Sequence, residues 1–404
     1  MDFEVGGGRV RGTRAGVRGN HAMNDEDAMG TSVFDALTDG EVALLRAHGF
    51  DEDAFERLRT RLRSGTWTER HNEVEGRVEA PAAQDVERLP EEGSARAREL
   101  RERGMEALRG GEVGALVLNG GMATRFGGGV KGCVEVLEGR SFLGMKLGDA
   151  RAWGRVPVLL MNSFATHAPT REHLEANAYF GLDAEQVIAF TQNVSVRLLP
   201  DGRVFRAHQE GGTLYAPGHG DLPEALGRGA LKAFRERGGR YLMMSNVDNV
   251  LADLDPVIVG MHVEAAETRG VEMSVEVVQK FEGDQGGMPA RVDGALQILE
   301  AFRFPQGFDV DSIPVFNTNT FMFTAEALDR AFDLTWFLVR KQVEGQQVVQ
   351  FERLAGELSA HLKTRFVEVA RTGARSRFLP IKRREDLRDH RQFLAEVVGD
   401  RGAE

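Results

Sequence analysis

V-G-A-L-V-L-N-G-G-M-A-T-R-F-G-G-G-V-K-G, residues 113–132, is the stretch on which the fold turns. Val113–Asn119 is a short apolar run that stops at Gly120-Gly121. Two more runs have the same shape: Val156–Met161 stops at Asn162-Ser163, and Tyr241–Met244 at Ser245-Asn246-Val247-Asp248-Asn249. Short apolar runs bounded by turn residues read as strands buried on both faces. Helical patterns separate them, and this alternation predicts an α/β protein with a largely parallel sheet. Ligands of such sheets sit outside the carboxyl ends of the strands. All three runs carry their polar or glycine residues at that end, which points to one shared site.

Outward from these runs, Asp221 and Glu224 are spaced as a capping box. They predict one helix with Leu222, Leu226, Ala230 and Phe234 as its buried stripe, ended by Gly238-Gly239. Met273–Gln279 reads as a strand leading into Lys280, Val315–Phe323 as an alternating strand, and Phe366–Ala370 as a last one. Val348, Phe351, Ala355, Leu358 and Leu362 recur at helical spacing. Residues 34–110 read as helices with a break between Pro81 and Pro90. Residues 1–30, rich in Gly and Arg, read as a disordered tail. The expected division is therefore a tail (1–30), an N-terminal helical region (31–112), a catalytic α/β domain (113–390) and a C-terminal helix or tail (391–404).

Composition narrows the function. Of 404 residues, 51 are Lys or Arg and 62 Asp or Glu, a net charge of −11, which disfavours general nucleic-acid binding. No apolar stretch approaches a membrane span or a secretory leader, so a cytoplasmic protein without membrane partners is expected. The single Cys133 excludes an intrachain disulfide framework and a multi-cysteine zinc site. There are only seven lysines, so those inside motifs (Lys131, Lys280, Lys382) stand out from surface decoration.

In L-N-G-G-M-A-T-R-F-G-G-G-V-K-G (118–132) a glycine turn after a strand allows backbone N–H groups to approach a phosphate, and Arg125 and Lys131 add positive charge. The same glycines would also serve a plain tight turn. The spacing matches neither the dinucleotide nor the Walker pattern. Asp248 suits Mg²⁺ at nucleotide phosphates, or an Asx turn. His219 lies between two glycines in P-G-H-G-D (217–221), and no Ser or Cys nucleophile stands beside it.

These segments resemble the UTP–glucose-1-phosphate uridylyltransferases, or UDP-glucose pyrophosphorylases, of the wider UDP-sugar pyrophosphorylase family. The resemblance rests on nine segments in one order: L-N-G-G-M-A-T-R-F-G (118–127), L-M-N-S-F-A-T (160–166), P-G-H-G-D (217–221), S-N-V-D-N (245–249), G-G-M-P (286–289), I-L-E (298–300), F-N-T-N-T (316–320), Q-F-E-R-L-A-G (350–356) and R-S-R-F-L-P-I-K (375–382). It implies a Rossmann-like nucleotide-diphospho-sugar transferase fold and the substrates UTP and a sugar 1-phosphate, with Mg²⁺. By the same resemblance Leu118, Asn119, Gly120, Gly121, Gln192 and Gly218 would bind the nucleotide, Gln192 reading the uracil edge with backbone near Gly218. His219, Asn246, Lys280, Gly287, Glu300 and Asn319 would hold the sugar phosphate. Arg125, Lys131 and Lys382 would act on the phosphates, and Asp248 would bind Mg²⁺.

The chain departs from the family pattern at Ala123, where Gly is usual, at Thr320, where Asn is usual, and in Gly-Gly-Gly-Val-Lys before Lys131, where P-K is usual. Arg125 matches the related N-acetylhexosamine enzymes, so a UDP-N-acetylhexosamine or broad-specificity enzyme is one alternative and an inactive nucleotide-sugar sensor another. The family's eukaryotic members continue into a C-terminal β-helix, and from the short stretch after Lys382 no such module is expected here. Oligomeric state stays open.

Overall fold

The computed structural model describes residues 32–401 apart from Glu138, Glu210 and Gln285, so the expected tail over 1–30 lies outside the described residues. Eight strands form one central sheet: β1 (Val86–Arg88), β2 (Val113–Leu118), β3 (Val158–Asn162), β4 (Val187–Thr191), β5 (Tyr241–Asn246), β6 (Met273–Gln279), β7 (Val315–Thr324) and β8 (Thr364–Glu368). Their order is β1-β8-β6-β7-β5-β2-β3-β4. All neighbours pair in parallel except β7, which runs antiparallel between β5 and β6. The fold is mixed α/β with a mostly parallel sheet, as the alternation of runs and helices predicts.

Alternation within β2 explains how both faces are covered. Val113, Ala115 and Val117 pack with α4 (Phe142–Ala152), with Val259 and Val263 of α8 (Pro256–Arg269) and with Leu394 and Val397 of α9 (Arg384–Arg401). Leu116 faces the other side, against Leu222, Leu226, Leu231 and Phe234. A third apolar cluster joins Leu45 of α1 (Asp39–Ala47) and Phe55, Leu58 and Leu62 of α2 (Glu52–Arg63) to Val194, Val196, Val349 and Phe351. Through it the N-terminal helices reach the loop that follows β4.

Three sequence expectations change. The stretch read as helical over 34–110 contains α1, α2 and α3 (Ala95–Gly110), but Val86–Arg88 is an edge strand of the central sheet and Val78–Glu79 pairs with the hairpin Gly287–Val292/Ala295–Glu300. The helix expected from 221 is two pieces, α6 (Leu222–Gly227) and α7 (Ala230–Glu236), and Asp221 makes no side-chain cap bond to it. Asp221 instead accepts the backbone N–H of Asn193. The helical spacing over 348–362 is misleading: Gln346–Glu352 is a strand paired with Phe337–Val343, and only Ala355–Ala360 coils, as a 3-10 turn. Glu344 (φ 50°) and Gly345 (φ 77°) form the tight turn between those strands. Among the described residues, no helix is long and apolar enough to cross a membrane.

Candidate functional site

At the carboxyl edge of the sheet, the end of β2 feeds the glycine loop. Asn119 is fully buried, and its Nδ2 donates to Asn162 Oδ1 (2.7 Å) and Thr170 Oγ1 (2.9 Å), which ties the ends of β2 and β3 together. Thr166 Oγ1 in turn donates to the Asn119 carbonyl (3.0 Å). Beyond Gly121 the chain closes on itself, with Met122 bridging Val130 and the Ala123 N–H donating to the Gly129 carbonyl (2.8 Å). Gly127, Gly128 and Gly129 all have positive φ (96°, 108° and 79°), a run that only glycine adopts without strain. This is the local reason for the Gly-Gly-Gly sequence. Arg125 is exposed on that loop, while Phe126 is buried beside Phe142 and anchors it.

Gln192, just past β4, lies across Gly120: a β-carbon on Gly120 would stand 2.1 Å from Gln192 Oε1. Its Nε2 donates to the Gly218 carbonyl (3.1 Å). Gly218 (φ 88°) and Gly220 press against the backbone of Arg353, and the Gly220 N–H donates to the Arg353 carbonyl (2.9 Å). His219 accepts the Ala355 N–H at Nδ1 (2.9 Å), so its other nitrogen is the N–H donor. Burial pushes its pKa down to about 4, which keeps the ring neutral at physiological pH.

Past β5, Lys131 pairs with the Asp248 carboxylate. Asn246 accepts a hydrogen bond from Asn319 Nδ2 (3.0 Å). Asn319 (φ 58°) sits where β7 carries extra residues opposite β6, a bulge that turns its amide toward β5. The Ile381 N–H donates to the Asp248 carbonyl (3.0 Å), placing exposed Lys382 next to this edge. Arg384 Nε donates to the Phe126 carbonyl (2.9 Å), joining the Arg125 loop to the Lys382 segment. A cavity of about 650 Å³ lies beside this segment, lined by Lys382, Arg371, Phe316, Phe378 and His390 among others; of the candidate site residues it touches Lys382 alone. Glu300 pairs across the hairpin with Gly287, whose β-carbon would stand 2.8 Å from Glu300 Oε1. Burial pushes the Glu300 pKa up to about 7.

The structure thus gathers Leu118, Asn119, Gly120, Gly121, Lys131, Gln192, Gly218, His219, Asn246, Asp248 and Asn319 at one sheet edge, with the segments bearing Arg125 and Lys382 joined to it. Lys280 is drawn elsewhere: its Nζ donates to the Val310 carbonyl (2.8 Å) and pairs with Asp311 (2.9 Å). Sequence reasoning overlooked Arg228, Arg353 and Arg384 as organisers of the site. Arg353 lies inside Q-F-E-R-L-A-G, so that motif held the signal; Arg228 stands between two glycines in an apolar helix stripe and carries none.

A doubly covered, mostly parallel sheet with its amide, glycine and Lys–Asp groups at one carboxyl edge defines an α/β protein of the kind whose ligands sit at that edge. The UDPGP family, UTP–glucose-1-phosphate uridylyltransferase, matches residues 66–396, and the chain belongs to that family. It is 30% identical over 302 residues to UTP–glucose-1-phosphate uridylyltransferase 2 of Dictyostelium discoideum, covering 68% of this chain and 57% of that one. It is 30% identical over 293 residues to the Solanum tuberosum enzyme, covering 67% and 59%. The chain therefore spans less than two thirds of the length of these relatives. Among solved structures, UDP-glucose phosphorylase of Trypanosoma brucei superposes with TM-score 0.65 at 25% identity, covering 83% of this chain and 73% of that one. The T. brucei UDP-N-acetylglucosamine pyrophosphorylase, in complex with inhibitor, gives TM-score 0.69 at 20% identity, covering 90% and 79%. That likeness bears on the fold alone.

Proposed function

We propose that this protein transfers a uridylyl group from UTP to glucose 1-phosphate, giving UDP-glucose and pyrophosphate, on a Rossmann-like sheet of the nucleotide-diphospho-sugar transferase type in the cytoplasm. The observation that carries this reading is that Gln192, Gly120 and Gly218 meet at one point of the sheet edge while Lys131 and Asp248 meet at another, within a chain of this family. The amide of Gln192 offers a donor and an acceptor, the complement of a uracil edge. Residues 113–390 form the catalytic unit, and α1 and α2 brace the loop that carries Gln192.

A sugar-phosphate oxygen attacks the α-phosphorus of UTP and pyrophosphate leaves in line. The second pKa of a phosphate monoester is about 6, so the nucleophile is already ionised at neutral pH and the site needs no general base. The neutral His219 fits that requirement, since it donates a hydrogen bond rather than removing a proton. Catalysis is then positioning and charge stabilisation. Lys131, Arg125 and Lys382 would bear on the phosphates, and Asn246, Asn319, Glu300 and Gly287 on the sugar. Among the described residues, no cluster of three acidic, His or Cys side chains forms a closed metal cage. A single carboxylate fits Mg²⁺, which binds through one or two carboxylates plus substrate phosphates. Asp248 would hold it, the ion would supply positive charge to the phosphates, and Lys131, then freed from Asp248, would bear on phosphate.

The test is pyrophosphate release measured with UTP, CTP, ATP and GTP against glucose 1-phosphate, galactose 1-phosphate and N-acetylglucosamine 1-phosphate. Fastest turnover with UTP and glucose 1-phosphate is expected. Preference for the N-acetylated sugar would move the assignment to the alternative that Arg125 favours, and UTP binding without turnover would make the chain a sensor.

A further inference from the structure

Gln192 carries base recognition in the proposed reaction; its own N–H is held by the Asn162 carbonyl at the end of β3 (2.7 Å), but the residues that follow it, Asn193 and Val194, stand in no helix or strand. Its neighbours are held instead from two sides. On one side His48 Nδ1 meets Thr191 Oγ1 (2.9 Å) and the Val194 N–H donates to the His48 carbonyl (3.1 Å). On the other, the Asp221–Arg228 segment supplies three ionisable side chains. Asp221 accepts the Asn193 N–H, Glu224 accepts from Asn193 Nδ2 (2.7 Å), and Arg228 donates to Asn193 Oδ1 and to the Thr191 carbonyl. Glu224 also takes a bidentate pair from Arg353 (2.7 and 2.9 Å). The backbone of Arg353 is what Pro217–Gly220 closes on, since its N–H donates to the Pro217 carbonyl (2.8 Å). Glu224 is therefore tied both to the residue beside Gln192 and to the backbone that places Gly218, the hydrogen-bond partner of Gln192.

We propose that Glu224, with Asp221, Arg228 and Arg353, forms a clamp that positions Gln192 against Gly218 and so sets the preference for a uridine nucleotide. The inference rests on the reading of Gln192 as the base-contacting residue. These are positioning residues, acting through the backbone and side-chain bonds that hold Asn193 and Gly218. Glu224 stands at the rim, its side chain 45% exposed, while its partner Arg353 is buried, so Glu224→Gln, which keeps an acceptor for the guanidinium, is the milder probe of the loop. The clamp acts on binding and base choice and leaves the chemical step alone.

The experiment measures KM and kcat for UTP and CTP, with nucleotide binding by calorimetry, in wild type, Glu224→Ala, Glu224→Gln and Arg228→Met, and in Lys232→Ala as a remote exposed control. In Glu224→Ala the UTP KM is expected to rise about tenfold, the weight of one hydrogen bond to a charged group. The UTP-over-CTP preference should fall with it, and kcat should stay within about threefold, on the same arithmetic. Glu224→Gln, which keeps one acceptor, should fall between. Arg228→Met should relax base choice in the same direction, and it decides the matter if Glu224→Ala does not fold. A purely structural role would lower kcat through the active fraction and leave the UTP/CTP ratio untouched, and that result overturns the clamp. A wild type that binds no uridine nucleotide overturns the functional reading and the clamp together. A selective wild type with equally selective variants overturns the clamp alone.

Discussion

At Gly120 the absence of a side chain does chemical service. Gln192 Oε1 occupies the space a methyl group would need, but it is the far end of a flexible side chain and can swing aside. Gly120→Ala should therefore fold, with a melting temperature close to wild type, and bind UTP at least about tenfold more weakly. Calorimetry beside a thermal melt checks this, and an unchanged affinity would remove Gln192 from base contact. Glu300 makes a different single-residue prediction. Its pKa is raised by burial from 4.5 to about 7. Between those values the folded protein keeps a proton that the unfolded chain has released, so stability falls as pH rises through this window and levels off above it. Glu300→Gln carries the neutral form permanently. It should melt higher than wild type at pH 8, by a few degrees, and show no such gain at pH 4. Parallel melts at the two pH values decide it.

The elements show why some of the molecule could be read from its sequence and some not. Val113–Leu118 and Tyr241–Asn246 are legible because buried parallel strands demand continuous apolar runs, and the polar residues at their ends follow from where such sheets bind ligands. Gln346–Glu352 deceives because Val348 and Phe351 happen to stand three apart; the Glu344-Gly345 turn was the better guide. The Asp221–Glu224 pair has capping-box spacing, yet tertiary partners claim both carboxylates. No periodicity announces that Arg353 will reach Glu224 across 129 positions. The loops proposed to face phosphate yield their own prediction. Lys382 is exposed, and its backbone N–H is held by Asp386 (2.9 Å). Lys382→Ala should melt as wild type, bind UTP nearly normally and lose about 100-fold in kcat, the scale of one transition-state charge partner. Steady-state kinetics against a binding isotherm separate the two effects, and wild-type turnover would exclude Lys382 from the reaction.

Across the whole molecule, Arg377 joins parts of the chain that are far apart in sequence. It is 3% exposed, meets Glu276 of β6 in a bidentate pair (2.9 and 2.8 Å), and donates to the Asp253 carbonyl (2.9 Å) while also pairing with the Asp253 carboxylate. Its own carbonyl accepts from Asn249 Nδ2 (3.1 Å), and Asn249 Oδ1 accepts the Leu379 N–H (3.0 Å). The segment that delivers Lys382 is thus fastened to the turn that carries Asp248 through a buried ion pair at the sheet edge. Burial raises the Glu276 pKa even with Arg377 alongside, so the guanidinium offsets only part of the cost of burying that carboxylate. Arg377→Ala leaves Glu276 buried without this partner, a change that costs about 3–5 kcal/mol. The melting midpoint should drop by roughly 4–6 °C. Because the same residue joins the Lys382 segment to the Asp248 turn, kcat measured on the remaining folded protein well below the midpoint should fall as well. Arg377→Lys keeps the charge but not the fork that grips both Glu276 oxygens, so it should recover part of the stability and less of the turnover. A variant with full activity per folded molecule would show that the pair holds the fold together without placing Lys382.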